Sequence, residues 1–249
     1  MQIVGYERDE PGLLVSDADG DVELVSLDPG TELAFTLEDR HCAGTLTESG
    51  HVACDADDAP RCPHHRDTWV CARCTGTCLK DEMDCHEEHA VYLAAFAPDE
   101  FKVGVTRLWR LETRLREQGA DRAAHVRTMR DGRVARRYEA ELAERIPDRV
   151  RVPTKLAGLH RDVDEAAWRD LLADFDPLST FEFDYGLDLD DRPVAETIAT
   201  GTVRGTKGRV LVLDHGGSTY AVDLRDLVGY EVETGATDRR LQSSLGAFG

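Results

Sequence analysis

The sequence is poor in lysine, in aromatic residues and in long apolar runs. Only 4 of its 30 basic residues are lysine, and 6% of its 249 residues are aromatic. No run of about 20 apolar residues, the length that a membrane-spanning helix needs, is present. The first residues, MQIVGYERDEPG, carry acids where a secretory signal would have a basic flank and an apolar core. We therefore expect a cytoplasmic protein without a membrane partner.

Cysteine is missing from most of the chain, because all seven cysteines lie between positions 42 and 85. The odd number and the expected location argue against a disulfide framework. A C-x-x-C pair followed by further cysteines is instead the spacing that surrounds a tetrahedral zinc ion. A redox-active C-x-x-C is the alternative, but no βαβ pattern frames it.

The cysteines divide into two candidate zinc sites. The downstream site is a complete set of four, Cys71, Cys74, Cys78 and Cys85. The upstream site has three thiols and an imidazole at the C-x-x-H distance, Cys42, Cys54, Cys62 and His65. His64 competes with His65, and His86 or His89 could replace a downstream cysteine. Four protein ligands would complete the coordination sphere of each zinc ion and leave no position for a substrate, so both sites are expected to be structural.

The charge of the chain is strongly negative but unevenly distributed. Net charge is −19, with 29 Asp against 20 Glu and 26 Arg against 4 Lys, a composition typical of halophilic proteins. Residues 102–155 nevertheless contain 15 Lys or Arg and 8 Asp or Glu, a net charge of 15 − 8 = +7. This positive segment indicates a nucleic-acid partner. Its arginines could otherwise serve as ion-pair partners on helix surfaces.

Hydrophobic periodicity predicts strands at both ends and helices between them. Alternating runs separated by Asp-Gly and Pro-Gly turns predict four strands in the first forty residues, and 199–233 has the same pattern with a Gly-Gly turn. We expect the two ends to pair into one small barrel or sandwich.

Helices are predicted over 106–119, 132–146 and 164–175, with a strand over 123–129. In the first helix, Thr106 is the expected cap, and Arg107, Arg110 and Arg114 share one face. In the second helix, Arg136 and Glu139 lie three residues apart.

Several motifs resemble known families. The tripeptides VYL at 91–93 and KVG at 102–104, joined by the turn PDE, resemble the pair that names the GIY-YIG nuclease fold. The chain resembles domain-of-unknown-function family 2797 more closely than it resembles the nuclease fold. This similarity lies in motifs between about 40 and 155, namely GTC at 76–78, Cys85, HAVYLA at 89–94, KVGVTR at 102–107, Thr113–Arg114 and QGA at 118–120, and more weakly in GTKGRVLVL.

The nuclease resemblance implies a role for three residues. Tyr92 matches the tyrosine that orients the site, Arg114 the arginine that stabilises the transition state, and Glu139 the carboxylate that holds a magnesium ion. Arg110 is a rival to Arg114, and His125 is a weak match for an accessory base.

Lys102 departs from the nuclease pattern, because it replaces the second tyrosine, and an ordinary ammonium group is a poor base at neutral pH. Either burial lowers its pKa, or Tyr92 or a metal-bound water replaces it, or hydrolysis is lost and Lys102 contacts a phosphate.

The sequence thus predicts an α+β protein with a zinc-binding module and a GIY-YIG-like core. The expected organisation is 1–41 as a β segment, 42–89 as the zinc module, 90–175 as the core, 176–195 as an acidic linker, 196–235 as a second β segment and 236–249 as a flexible tail. The expected function is binding of nucleic acid, DNA or RNA, through Arg107, Arg110, Arg114 and Arg136. A magnesium-dependent endonuclease and a zinc/β-barrel interaction module are the alternatives.

Overall fold

A computed structural model describes residues 1–66 and 86–235. The downstream cysteines, Cys71, Cys74, Cys78 and Cys85, and the predicted tail 236–249 lie outside these residues. The chain divides into two compact units. Unit 1 comprises Met1–Asp67 and Tyr185–Gly249, and unit 2 comprises Thr68–Asp184.

Strands dominate the described residues. They are β1 Gln2–Glu7, β2 Gly12–Ser16, β3 Val22–Ser26, β4 Glu32–Arg40, β5 Thr45–Thr47, β6 Gly50–Val52, β7 His89–Phe96, β8 Glu100–Arg107, β9 Arg122–Met129, β10 Ser179–Glu182, β11 Val194–Ala195, β12 Ala199–Lys207, β13 Val210–His215, β14 Ser218–Asp223 and β15 Tyr230–Thr234. The helices are α1 Leu111–Gln118, α2 Gly132–Leu142, α3 Val152–Gly158, α4 Glu165–Leu172 and α5 Leu224–Leu227. None of these helices is long and apolar enough to cross a membrane.

The two ends of the chain form one sheet in unit 1. Its nine strands run in the order β11-β14-β13-β12-β4-β15-β1-β2-β3, so N-terminal β1 and β4 both pair with C-terminal β15. Apolar side chains from both ends, including Ile3, Leu13, Leu211 and Leu213, pack into one core. The predicted pairing of the ends is confirmed.

A closed barrel, the other expectation for these ends, is wrong. Within the described residues the ladder stays open, with β11 and β3 at its two edges. Strand β11 has only two residues, and β3 exposes Glu23 and Leu24. Such short or exposed edge strands do not provide the continuous pairing that barrel closure requires.

The predicted Gly-Gly turn is present between β13 and β14. Gly216 and Gly217 have φ values of 55° and 78°, the left-handed conformation that a tight two-residue hairpin turn requires. The turn sets the register from His215↔Ser218 to Val210↔Asp223.

Unit 2 is built on an antiparallel sheet of order β10-β9-β7-β8. Strand β7 is central and buried along most of its length. Because successive side chains alternate between faces, Val91 and Leu93 project towards a core that includes Trp168 and Leu142 of the helices. Tyr92 projects to the opposite face of the sheet.

The first helix of unit 2 starts later than predicted. Thr106 lies in β8 and pairs with Ala90, so the prediction that it caps the helix is wrong. A short 3₁₀ turn, Leu108–Arg110, connects β8 to α1, which ends at Gly119 with φ 68° and ψ 41°. The other predicted helices are confirmed as α2 and α4, capped by the side chains of Asp131 and Asp164.

Candidate metal centre and polar cluster

The four upstream zinc ligands lie together in unit 1. The sulfurs of Cys42, Cys54 and Cys62 and a ring nitrogen of His65 all lie within 4.8 Å of one another. Within the described part of the chain, these four form the single group of three or more His, Cys, Asp or Glu side chains arranged closely enough to hold a metal ion. His64 is exposed and does not belong to the group.

The distances in this Cys/His cluster suit a tetrahedral ion. His65 Nδ1 lies 3.4 Å from Cys42 Sγ and 3.3 Å from Cys62 Sγ. Zinc bonds of about 2.3 Å to sulfur and about 2.0 Å to nitrogen, at tetrahedral angles, give a sulfur-to-nitrogen edge of about 3.5 Å. The three sulfurs and one nitrogen are therefore consistent with zinc.

Backbone amides orient the cysteine sulfurs. The Cys62 amide donates to Cys42 Sγ at 3.2 Å. Burial raises the pKa of the Cys62 thiol, but backbone hydrogen bonds from His65 and His64 favour its thiolate, and the net pKa shift is downward. For Cys54, a backbone hydrogen bond from Ala56 lowers the pKa, while burial and the neighbouring sulfurs raise it, with a net upward shift. Because like charges at this distance disfavour one another, three thiolates require a cation between them.

Side chains of the sheet hold the cysteine loop. His41 Nδ1 lies 3.0 Å from the Cys54 carbonyl, and its Nε2 lies 3.3 Å from Glu231 Oε1 of β15. The buried Gln2 amide donates to the Cys42 and Gly229 carbonyls at 3.4 and 3.1 Å. The Cys/His cluster is therefore fastened to strands from both ends of the chain.

The second group of functional candidates lies in unit 2, around Tyr92. This side chain is 1% exposed and stands directly opposite Gly104 of β8. A Cβ atom at position 104 would collide with the Tyr92 hydroxyl and ring. Gly104 of the KVG tripeptide therefore leaves the space that the Tyr92 ring of the VYL tripeptide occupies.

Gln118 joins Tyr92 to Lys102. Its Nε2 donates to the Tyr92 hydroxyl at 2.7 Å and to the Arg114 carbonyl at 3.1 Å. Its Oε1 accepts from Lys102 Nζ at 3.0 Å. Desolvation raises the pKa of Tyr92, against the charge of Arg114 and the hydrogen bond from Gln118. With Gln118 as its donor, the Tyr92 hydroxyl keeps its own proton to offer to another acceptor.

Lys102 has the lowered pKa that one of the sequence hypotheses required. Desolvation, followed by the nearby positive charge of Arg114, lowers its pKa to about 8, although Glu139 and Asp148 act in the opposite direction. Arg136 and Glu139 influence the pKa of Tyr92 as well. Arg114, Arg136 and Glu139 therefore all lie near Tyr92 and Lys102, and we call these five residues together with Gln118 the polar cluster.

Each of the four predicted nucleic-acid arginines makes an ion pair. Glu117, whose side chain is 9% exposed, accepts from Arg110 at 2.7 Å and from Arg114 at 3.1 Å. Arg107 Nε lies 3.5 Å from Glu87, and Arg136 donates to Glu139 at 2.6 Å. As the alternative interpretation expected, these four arginines of the positive segment pair with carboxylates.

Two further candidates are less central. His125 is buried on β9, where desolvation lowers its pKa, and its Nε2 lies 3.2 Å from the Thr128 hydroxyl. His89 Nδ1 lies 2.7 Å from the Glu87 carbonyl. Within the described residues, Glu139 belongs to no group of three potential metal ligands.

Sequence reasoning assigned no role to Gln118 or Glu117. Gln118 was visible only as part of the QGA motif, and its bridging position depends on the pairing of β7 with β8 and on the length of α1. Glu117 is one of several acidic residues in the positive segment. Its sequence spacing does not show that it, and not Glu112, pairs with both Arg110 and Arg114.

The model of a protein family described as Protein of unknown function (DUF2797) matches residues 59–232. This match covers 232 − 59 + 1 = 174 of the 249 residues. The chain belongs to this family. The DUF2797 match begins just before Cys62 and includes all of described unit 2. No curated protein and no solved structure matches the chain.

Proposed function

We propose that this DUF2797 protein binds nucleic acid through unit 2, on a GIY-YIG-like core that includes Tyr92 and Lys102. The observation that carries the proposal is the convergence of a tyrosine hydroxyl, a lysine and two arginines in the polar cluster. Arginine side chains are frequent phosphate contacts, and the Arg114 guanidinium reaches solvent, whereas the buried Tyr92 side chain would position the cluster and not contact the phosphate.

The ion pairs are compatible with phosphate binding. A guanidinium has five N–H donors, and Arg110 and Arg114 each use one of them on Glu117 in this arrangement. Both arginines remain about two-fifths exposed. Glu117 thus holds two guanidinium groups side by side, which lowers the entropy lost when they bind a phosphate.

The Cys/His cluster serves this proposal as a structural zinc site in unit 1. Its four ligands all come from protein, so no position is left for a substrate. Three free thiols gathered around one imidazole suit a reducing compartment, so the proposal includes a cytoplasmic location.

The direct test is a binding titration with labelled DNA and RNA oligonucleotides at about 50 and 200 mM salt. Arg114→Ala should weaken binding roughly tenfold at the lower salt concentration. Arg145→Ala is the matched control, because Arg145 is exposed, pairs with Asp174 and lies outside the polar cluster. Equal affinities for the wild type and Arg114→Ala would contradict the proposal. Absence of nucleic-acid binding would instead favour a protein-interaction module.

A second candidate function, a divalent-metal-dependent endonuclease, is favoured by Lys102. With a pKa of about 8 and a hydrogen bond to Gln118, a substantial fraction of this amine is neutral and able to accept a proton near pH 8. Glu139 would hold the magnesium ion together with substrate phosphates and water, after exchange of its bond to Arg136.

Cleavage of a labelled oligonucleotide in Mg²⁺ or Mn²⁺, followed from about pH 6 to 9, tests the enzyme hypothesis. The rate should rise towards pH 8 and then level off as Lys102 loses its proton. Glu139→Gln should abolish cleavage and leave binding within about twofold. If the wild type cleaves nothing with either ion, the binding function stands without the enzyme.

A further inference from the structure

Trp109 is the most exposed large apolar residue of the described chain. Its relative exposure is 68%, whereas Trp168, the other described tryptophan, is 5% exposed. It lies in the short 3₁₀ turn that joins β8 to α1. A single exposed apolar residue is common on protein surfaces, so the case for a contact site depends on the arginine side chains beside this indole.

The indole is held in place by polar contacts. Trp109 Nε1 donates to Glu87 Oε2 at 3.0 Å, and the same oxygen lies 3.5 Å from Arg107 Nε. The guanidinium of Arg110 lies 5.9 Å from the centre of the Trp109 ring. The Nε1 edge of the ring is therefore held by Glu87, and the Arg110 guanidinium lies over one ring face, while 68% of the residue stays exposed.

A continuous set of contacts joins Trp109 to the polar cluster. Arg110 pairs with Glu117, Glu117 pairs with Arg114, and Gln118 bonds both the Arg114 carbonyl and the Tyr92 hydroxyl. A strand whose phosphates contact Arg110 and Arg114 would thus pass next to the indole.

We propose that Trp109 is a stacking platform for an unpaired base, so that unit 2 prefers single-stranded over double-stranded nucleic acid. This inference rests on the proposed function and specifies its substrate class. Stacking on an aromatic ring accepts any base and requires that the base is not already stacked within a duplex. Single-stranded DNA and RNA share this chemistry.

Because the chain is strongly negative, base stacking should supply a substantial part of its affinity for nucleic acid. At a net charge of −19, the protein repels a polyanion at long range, and attraction between arginine and phosphate weakens as salt rises. Stacking depends much less on salt. The contribution of Trp109 should therefore form a larger share of the affinity at high salt than at low salt.

The test compares single-stranded DNA, single-stranded RNA and the corresponding duplexes, with affinities measured by anisotropy at two salt concentrations. Trp109→Ala should weaken single-strand binding about 5- to 100-fold and duplex binding less than about twofold. Trp109→Phe should retain most of the affinity, because it keeps an aromatic face. Leu178→Ala is the matched control, since Leu178 is a 63% exposed apolar residue elsewhere in unit 2.

Quenching of tryptophan fluorescence on binding supplies a second readout, which should diminish in Trp109→Phe. Equal single-strand affinity of the wild type and Trp109→Ala, with Arg114→Ala still impaired, would overturn the stacking platform and preserve the proposed function. Equal losses on single strands and duplexes would also overturn it. Failure of the wild type to bind any of the four probes would overturn both proposals.

Discussion

The two units use their polar side chains in different ways. In unit 1, three thiols and an imidazole lie close enough together to hold a metal ion, which the cysteines would bind as thiolates. In unit 2, the polar cluster contains its own opposite charges, because Arg136 pairs with Glu139, and Arg114 pairs with the neighbouring Glu117. The comparison distinguishes a group of side chains arranged to hold a metal ion from a group whose charges are largely paired with neighbouring side chains.

The largest expected effect is loss of the Cys/His cluster. Cys62→Ala should release one zinc ion per chain relative to the wild type and lower the melting temperature of unit 1 by about 10 °C or more, because a structural zinc ion contributes several kcal/mol. Metal analysis and circular dichroism measure these changes. His64→Ala, which changes the neighbouring exposed imidazole, should retain the metal, whereas His65→Ala should lose it. Equal metal content in the two histidine variants would contradict the assignment.

Unit 2 should respond to pH through Lys102. Below about pH 8 the folded protein has to bury a charged ammonium, a cost of about 3 kcal/mol for a pKa lowered from 10.5 to about 8. Between pH 8 and 10.5 the folded amine loses its proton before the unfolded one does, so this cost disappears and stability rises. Lys102→Met should be more stable than the wild type at pH 7, by an amount that decreases by pH 10.

Urea unfolding of both proteins at the two pH values measures this difference. Lys102→Arg is the control, because arginine stays charged and its stability difference from Lys102→Met should not decrease. A difference between the wild type and Lys102→Met that does not change with pH would show that Lys102 is not desolvated.

Gly104→Ala should destabilise unit 2 by about 1–3 kcal/mol, since the new methyl group has to displace the buried Tyr92 ring. Tyr92→Ala removes the obstacle, so adding Gly104→Ala to that variant should cost much less than it costs in the wild type. Thermal unfolding of the four proteins in this cycle gives the coupling between the two positions. Additive effects would mean that the ring and the glycine are not in contact.

The smallest expected effects are the losses of stability when two ion pairs of unit 2, one partly buried and one exposed, are removed. Arg136→Ala leaves Glu139, whose side chain is 13% exposed, without its partner and should cost about 1–2 kcal/mol. Arg145→Ala breaks the pair with Asp174, whose side chains are 62% and 68% exposed, and should cost less than about 0.5 kcal/mol. Chemical unfolding measures both, and equal costs would show that Glu139 is as well solvated as Asp174.

The local sequence pattern predicted the individual strands and turns better than it predicted how the strands pair into a sheet. Alternation and turns identified β1 to β4 and the Gly216–Gly217 hairpin, because strand periodicity and tight turns depend on neighbouring residues. The open edges at β3 and β11 depend on pairing between distant segments, so a barrel was predicted instead. The start of α1 was misplaced because Thr106 pairs with Ala90 in the sheet, a contact that outweighs its capping preference.

The candidate sites show the same limit. The C-x-x-H spacing indicated His65, but only the fold of the loop distinguished it from His64. Motif resemblance gave Tyr92, Lys102, Arg114 and Glu139, whereas their mutual charges and the bridge through Gln118 required the three-dimensional arrangement.

The most direct test of nucleic-acid binding by unit 2 is the salt dependence of the affinity for single-stranded oligonucleotides. The wild type is compared with the triple variant Arg107→Ala, Arg110→Ala, Arg114→Ala and with a control of equal charge, Arg130→Ala, Arg145→Ala, Arg169→Ala. The control arginines are exposed and contact Asp131, Asp174 and the Glu165 carbonyl. We predict that the slope of log affinity against log salt falls by about 2 in the first variant and stays unchanged in the control. Equal slopes in all three proteins would contradict the account.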